Sequence, residues 1–236
     1  MPSSPVLSVV VPLYNEEDNV VEMQQQIDAA LAGRDYELVL VDDGSKDQTL
    51  ARIQPGPRVR VIVLEKNSGQ SAAMHAGIHG AKGDVIITLD GDLQNDPADI
   101  PAMIAKLDEG FDLVCGYRAK RKDTPFKRLQ SRIANFVRSR FVGDHVRDTG
   151  CTLKVMRRDC REALLLFNGM HRFIPALIRN MGWRVTEVPV NHRPRIHGVS
   201  KYGFGNRALR ATTDMFGVRW LNSRRTRYSI REERKA

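Results

Sequence analysis

The chain has 236 residues, 42% hydrophobic and 28% charged, an ordinary composition for one sizeable soluble core without fixed repeats or low-complexity blocks. No run approaches the roughly 18–20 apolar residues that span a bilayer, which argues against a membrane-embedded enzyme. The net charge of +9 hides an asymmetry: residues 1–117 hold 8 Lys and Arg against 19 Asp and Glu, whereas 118–236 hold 29 against 9; an acidic half suits a metal ion, a basic half phosphates.

The opening "MPSSPVLSVVVPLYN" lacks a basic segment and a separate apolar core, so no signal peptide is expected. "VLSVVVPL" (6–13) reads as a strand buried on both faces. "EEDNVVEMQQQIDAALAG" (16–33) places Val20, Met23, Ile27 and Leu31 at helical spacing, with Gly33 as a stop. Strands follow at 36–43, 58–65, 84–90 and 111–118, separated by helices near 46–53, 69–81 and 97–109. Asp96 and Pro97 read as cap and first residue of the last of these helices. This alternation predicts an α/β fold: a doubly wound, mostly parallel sheet whose ligands sit beyond the carboxyl ends of the strands.

The second half breaks the pattern. Residues 124–143 place Phe126, Leu129, Ile133, Phe136 and Val137 on one helical stripe, interleaved with Lys127, Arg128, Arg132, Arg138 and Arg140. This pattern fits an interfacial helix on an anionic membrane surface. A strand is expected at 151–158, a helix around 161–167, an edge strand at 183–194 on account of its proline, and a glycine-bearing loop at 195–205. The expected organisation is one domain over 1–210, with halves 1–117 and 118–210, then a basic tail over 211–236. Cys115, Cys151 and Cys160 are odd in number and lack CxxC spacing, as for reduced thiols of a cytoplasmic protein.

The chemistry concentrates in "DGDLQNDP" (90–97). Asp90, Asp92 and Gln94 leave a strand at i, i+2 and i+4 and can converge on one ion. Carboxylate and amide oxygens suit Mg²⁺ or Mn²⁺. Because Mg²⁺ takes only one or two protein carboxylates and shares the rest of its shell with phosphates, the cluster also implies a bound diphosphate. Pro12, Tyr14 and Glu16 sit where they can line a nucleoside pocket.

"VVVPLYNEEDNV" (9–20), "LVLVDDGSKDQT" (38–49), "NSGQSAAMHAG" (67–77) and "DGDLQNDP" occur in an order and spacing that resemble family 2 glycosyltransferases of GT-A fold. "GYR" (116–118) and "RIHGVSKYGFG" (195–205) narrow the likeness to polyprenyl-phosphate glycosyltransferases, over about residues 6–210. The resemblance implies that Pro12, Tyr14, Glu16, Val41 and Asp43 hold the nucleotide of a nucleoside-diphosphate sugar. It implies that Asp92 and Gln94 bind the metal of a DxD motif, that Asp90 touches nucleotide or metal, and that Gly91 admits the sugar nucleotide to the backbone. Arg118 and Arg132, with Ser131 beside them, would hold the acceptor phosphate. Arg195 and Lys201, with Ser200 between them, would close over the donor diphosphate. Asp92, Arg118, Arg132 and Lys201 are thus the expected catalytic set, and Asp148 and Thr149 further acceptor-side contacts.

The expected reaction is inverting transfer of a hexose or related sugar to a polyprenyl phosphate at the cytosolic membrane face. The protein would be peripheral there, with a separate anchoring subunit as a partner. Transfer to a sugar or protein hydroxyl, and a non-catalytic partner subunit, are the alternatives. The intact acidic cluster argues against the second, and "HRFIPAL" (171–177) is not the QxxRW of polysaccharide synthases. Nucleic acid is not an expected partner, since the basic half lacks the aromatic–basic motifs of the usual modules.

Overall fold

The computed structural model describes residues 6–119, 138–194 and 205–226. Seven strands form one sheet: β1 (Leu7–Leu13), β2 (Tyr36–Asp42), β3 (Val59–Val63), β4 (Val85–Thr88), β5 (Leu113–Arg118), β6 (Lys154–Arg157) and β7 (Val185–Val190). Their order is β3-β2-β1-β4-β6-β5-β7. β1 to β4 pair in parallel, as do β5 and β7. β6 runs antiparallel between β4 and β5, so that the strand from the second half is inserted beside the end of the first. The expected mostly parallel, doubly wound α/β sheet is therefore present, and the proline-bearing strand lies at its edge.

Each face of the sheet carries its own core. On one, α1 (Val20–Ala30) and α4 (Ile100–Asp108) bury Met23, Ile27, Met103 and Leu107 against Val9, Val11, Leu38 and Ile87. On the other, α3 (Gln70–Gly80), α5 (Ile174–Asn180) and α6 (Gly205–Arg224) contribute Met74, Ile78, Leu177 and Val218 against Val10, Val39 and Ile86. The short α2 (Thr49–Arg52) tops the β2–β3 crossover. Asp96 caps the turn that Pro97 opens, its carboxylate accepting the Ala98 N–H at 3.1 Å.

Three expectations shift in the second half. The segment around 161–167 forms short 3₁₀ turns over Arg158–Ala163 and then extended chain, because consecutive Leu164, Leu165 and Leu166 cannot share one helical face; Leu164 is buried and the other two are exposed. The helix there is instead α5, opened by Pro175 in its first turn. Residues 205–224 form one helix across the expected boundary at 210, burying Val218 and leaving Phe216 and Trp220 60% and 64% exposed. Of the stripe at 124–143, only 138–143 lies within the described residues. There Arg138 is not on a solvated face: it meets Asp144 at 3.5 Å and donates to the Val146 carbonyl and to Thr149. Among the described residues no helix is long and apolar enough to cross a membrane.

Gly77 sets the distance between α3 and the sheet. A Cβ there would stand 2.3 Å from Val10 Cγ1 and 2.9 Å from Val41 Cγ2. Alanine is otherwise favoured over glycine inside a helix by about 1 kcal/mol. Overpacking of this kind costs about 1–3 kcal/mol, so Gly77→Ala is expected to lower stability in urea denaturation, and an unchanged or raised midpoint would contradict the close approach.

Candidate active site

The carboxyl ends of β1, β2, β4 and β5 open on the same edge of the sheet, and the loops that leave them are tied to one another. After β1, Asn15 takes a left-handed conformation (φ 52°); its N–H donates to Ser45 Oγ at 3.0 Å, and its amide oxygen accepts the Lys46 N–H at 2.8 Å. The Glu16 N–H donates to Thr49 Oγ1 at 2.7 Å, and the Glu16 carboxylate accepts from Asn19. Tyr14 and Glu16 are thereby held, half-buried, beside the loop after β2.

At the end of β2 the side chains divide. Val41 is fully buried against α3, so only its backbone faces the edge of the sheet. Asp43 accepts the Ser68 and Gly69 N–H groups at 2.7 and 2.8 Å and the Asn67 amide at 3.1 Å, fastening the loop that starts α3. Asp42, which the sequence reading passed over, is buried with Oδ1 lacking a hydrogen-bond partner.

The loop after β4 holds the acidic cluster. Gly91 is required by its close approach to β1: a Cβ would stand 2.5 Å from Leu13 Cδ2. Leu93 is left-handed (φ 62°) with its side chain buried, so the chain turns between Asp92 and Gln94. Asp92 is 6% exposed, and its Oδ1 accepts the Gln94 N–H at 3.1 Å. Asp90 accepts from Gln70 Nε2, in the first turn of α3, at 2.7 Å. Burial pushes the Asp90 carboxyl up to about 6, aided by the charge of Asp92; hydrogen bonds from Thr152 and Gln70 and the charge of Lys154 oppose the rise. Among the described residues no three His, Cys, Asp or Glu side chains form a ready metal cage. Two carboxylates and an amide on one loop are a donor set that fits a hard cation completing its shell from phosphate.

Arg118, at the end of β5, is clasped by Asp148: Nε and Nη2 donate to its two carboxylate oxygens at 2.7 and 2.8 Å. That bidentate bond holds the guanidinium more firmly protonated than usual, and the Asp90 charge contributes across the gap. Of the five N–H donors of the fork, the Nη1 pair remains turned from Asp148. The end of β7 returns to the acidic loop after β4. Arg193 donates its N–H to the Gln94 carbonyl at 2.9 Å and its guanidinium to Asp96 at 2.7 Å, and His192 bridges to Asn95. Arg132, Ser131, Arg195, Ser200 and Lys201 lie outside the described residues.

Side chains that sequence reasoning missed are Gln70, Thr152, Lys154 and Asp42. Gln70 and Thr152 reach Asp90 only through the fold. Lys154 gave no signal of its own, since the same strand also carries Arg157. The cysteines take no part: all three are unpaired and buried, and burial pushes Cys115 and Cys160 up to about 12, where thiols are inert.

The raised Asp90 carboxyl has a consequence for stability. A folded-state value near 6, above the ordinary 3.8, means that protonated Asp90 favours the fold. The contribution is full below the unfolded value and is lost as pH rises through 6. In chelated buffer the stability gained by Asp90→Asn over wild type should therefore grow between pH 4 and 6.5 and then level off. A pH-independent difference in thermal melts would contradict the assignment.

Comparison with known proteins agrees with this geometry. The glycosyl transferase family 2 model matches residues 8–165. A dodecaprenyl-phosphate galacturonate synthase of Rhizobium johnstonii is 42% identical over 223 residues, covering 90% of this chain and 66% of that protein. An undecaprenyl-phosphate 4-deoxy-4-formamido-L-arabinose transferase of Edwardsiella ictaluri is 42% identical over 204 residues, covering 84% and 63%. The chain thus spans about two thirds of the length of these relatives. Among solved structures, Mycobacterium tuberculosis glucosyl-3-phosphoglycerate synthase, crystallised with Mn²⁺, UDP and phosphoglyceric acid, superposes with a TM-score of 0.69 at 18% identity, covering 93% of this chain and 79% of that one. The fold is of GT-A type, and the chain belongs to glycosyl transferase family 2.

Proposed function

We propose that this chain transfers a hexose or related sugar, with inversion, from a nucleoside-diphosphate sugar to a polyprenyl phosphate at a membrane surface. The observation that carries the reading is the placing of an acidic loop after β4 and the Arg118 fork at the end of β5 on one edge of the sheet, close enough for the Asp90 charge to act on Arg118. The polyprenyl-phosphate chemistry in the names of both 42%-identical relatives supports the acceptor class.

Pro12, Tyr14, Glu16 and the backbone at Val41 wall the nucleoside pocket, with Asp43 fixing its floor through the loop before α3. Asp92 and Gln94 would hold Mg²⁺ or Mn²⁺, with Asp90 and the Gly91 backbone facing the donor. The bound cation supplies neutralisation of charge on the departing diphosphate. Arg195 and Lys201 serve the same charge from the segment that follows Arg193 at the metal loop. Arg118, and with it Arg132 and Ser131, orients the acceptor phosphate. That monoester has a second pKa near 6, is largely dianionic at pH 7 and needs no general base. Its oxygen bonds to the anomeric carbon as the bond to the diphosphate oxygen breaks on the opposite side. The exposed Phe216 and Trp220 beside Arg219 give α6 an amphiphilic face suited to the lipid surface, where the protein would sit on the cytosolic side. A separate membrane subunit would complete the anchoring.

The test is formation of a lipid-extractable sugar from undecaprenyl phosphate, Mn²⁺ and a panel of UDP- and GDP-sugars. Asp92→Ala should lower turnover by about 10²–10³-fold, the scale of losing one main electrostatic stabiliser. Arg118→Lys loses the fork geometry and should raise the KM for the lipid phosphate while leaving the donor KM unchanged. Absence of lipid-linked product from a folded wild type with every donor would overturn the reading.

A further inference from the structure

Lys154 is among the largest fully buried side chains of the protein, 1% exposed. It lies on β6, paired with Thr88 on β4 and with Cys115 on β5. The next pair along that row joins Cys115 to Glu187 on β7. Extending the β4–β6 register by two residues places Thr152 opposite Asp90, and Thr152 does hydrogen-bond Asp90. The Lys154 ammonium reaches toward that level, donating to the Cys151 carbonyl. A buried ammonium carries a desolvation cost that one carbonyl does not offset.

The other carboxylates on this side of the sheet have their own cations. Asp148 takes Arg118 at 2.7 Å, Asp144 takes Arg138 at 3.5 Å, and Glu187 takes the Arg147 N–H at 2.8 Å with the guanidinium at 4.0 Å. Among the described residues, the loop carboxylate on which the Lys154 charge acts is Asp90.

Resting on the metal-dependent transfer proposed above, we propose that Lys154 is the resident counter-cation of the Asp90–Asp92 loop, a positioning residue that makes metal binding conditional on nucleoside diphosphate. With the Lys154 charge acting on Asp90, the two carboxylates and the ammonium together present one net negative charge to an incoming divalent ion, and the ammonium repels that ion. A diphosphate reverses the balance, because it is attracted by both cations at once. Metal and nucleotide then bind cooperatively, each raising the affinity of the other by the same factor. The loop is kept from trapping metal without substrate.

The test measures Mn²⁺ affinity by titration calorimetry, alone and with UDP or GDP, in wild type, Lys154→Met, Lys154→Gln and Lys154→Arg, alongside thermal melts. Lys154→Gln keeps a donor for the Cys151 carbonyl without the charge and separates a structural from an electrostatic role. Expected are about tenfold tighter binding of Mn²⁺ alone in both neutral variants, a smaller enhancement by nucleotide, wild-type behaviour in Lys154→Arg, and melting temperatures no lower than wild type in Lys154→Met. Unchanged or weaker binding of Mn²⁺ alone in folded Lys154→Gln would overturn the inference, as would equal effects of Gln and Arg. A wild type that binds Mn²⁺ but neither nucleotide would instead refute the proposed function, and the comparison with Mn²⁺ alone would still decide the role of Lys154.

Discussion

Two carboxylates two residues apart, at the end of a strand buried on both faces, repel each other where solvent gives little help. The structure answers this with neutral donors and one buried cation. Gln70 reaches Asp90 from the first turn of α3, Thr152 from the neighbouring strand, and the buried Lys154 acts on it through its charge. Each of these comes from a different element, so the electrostatics of one loop depend on the assembly of the whole sheet. Gly77 and Gly91 belong to the same constraint, since they let α3 and the loop after β4 approach β1 closely enough for those contacts.

The antiparallel β6 lies between β4 and β5. The short strand Lys154–Arg157 brings Thr152 and Lys154 against the acidic loop and carries Asp148 to Arg118. The second half is thus more than a basic annex. Several of its arginines pair with its own carboxylates, Arg138 with Asp144 and Arg147 with Glu187. The +20 balance of residues 118–236 overstates the cationic surface on offer to a phosphate or a membrane.

The first 117 residues were largely legible because each strand is a continuous Val- and Ile-rich run and each helix has an apolar face or a proline start. The acidic loop after β4 was legible because three oxygen-bearing side chains alternate at a strand end. Less could be read in the second half. Three consecutive leucines mimic a helix core but lie in extended chain after the 3₁₀ turns of Arg158–Ala163; α5 hides behind the basic "HR" before it; and α6 carries too many polar residues to look buried, although Val218 is. Val41 lies near the end of β2 and Asp43 just after it. Their side chains face the core and the loop before α3, a distinction that depends on strand facing and loop closure. Lys154 could not be weighed at all without the register, because a lysine in a strand is ordinarily a solvated one.

The central claim is that one loop gathers a divalent cation which joins the protein to a nucleoside diphosphate. Anomalous scattering from crystals grown with Mn²⁺ and UDP or GDP tests it most directly. A single strong manganese peak is expected within coordinating distance of Asp92 and Gln94 and of the diphosphate oxygens. Diphosphate bound at the carboxyl edge of the sheet with no manganese at that loop, or manganese bound elsewhere, would contradict it.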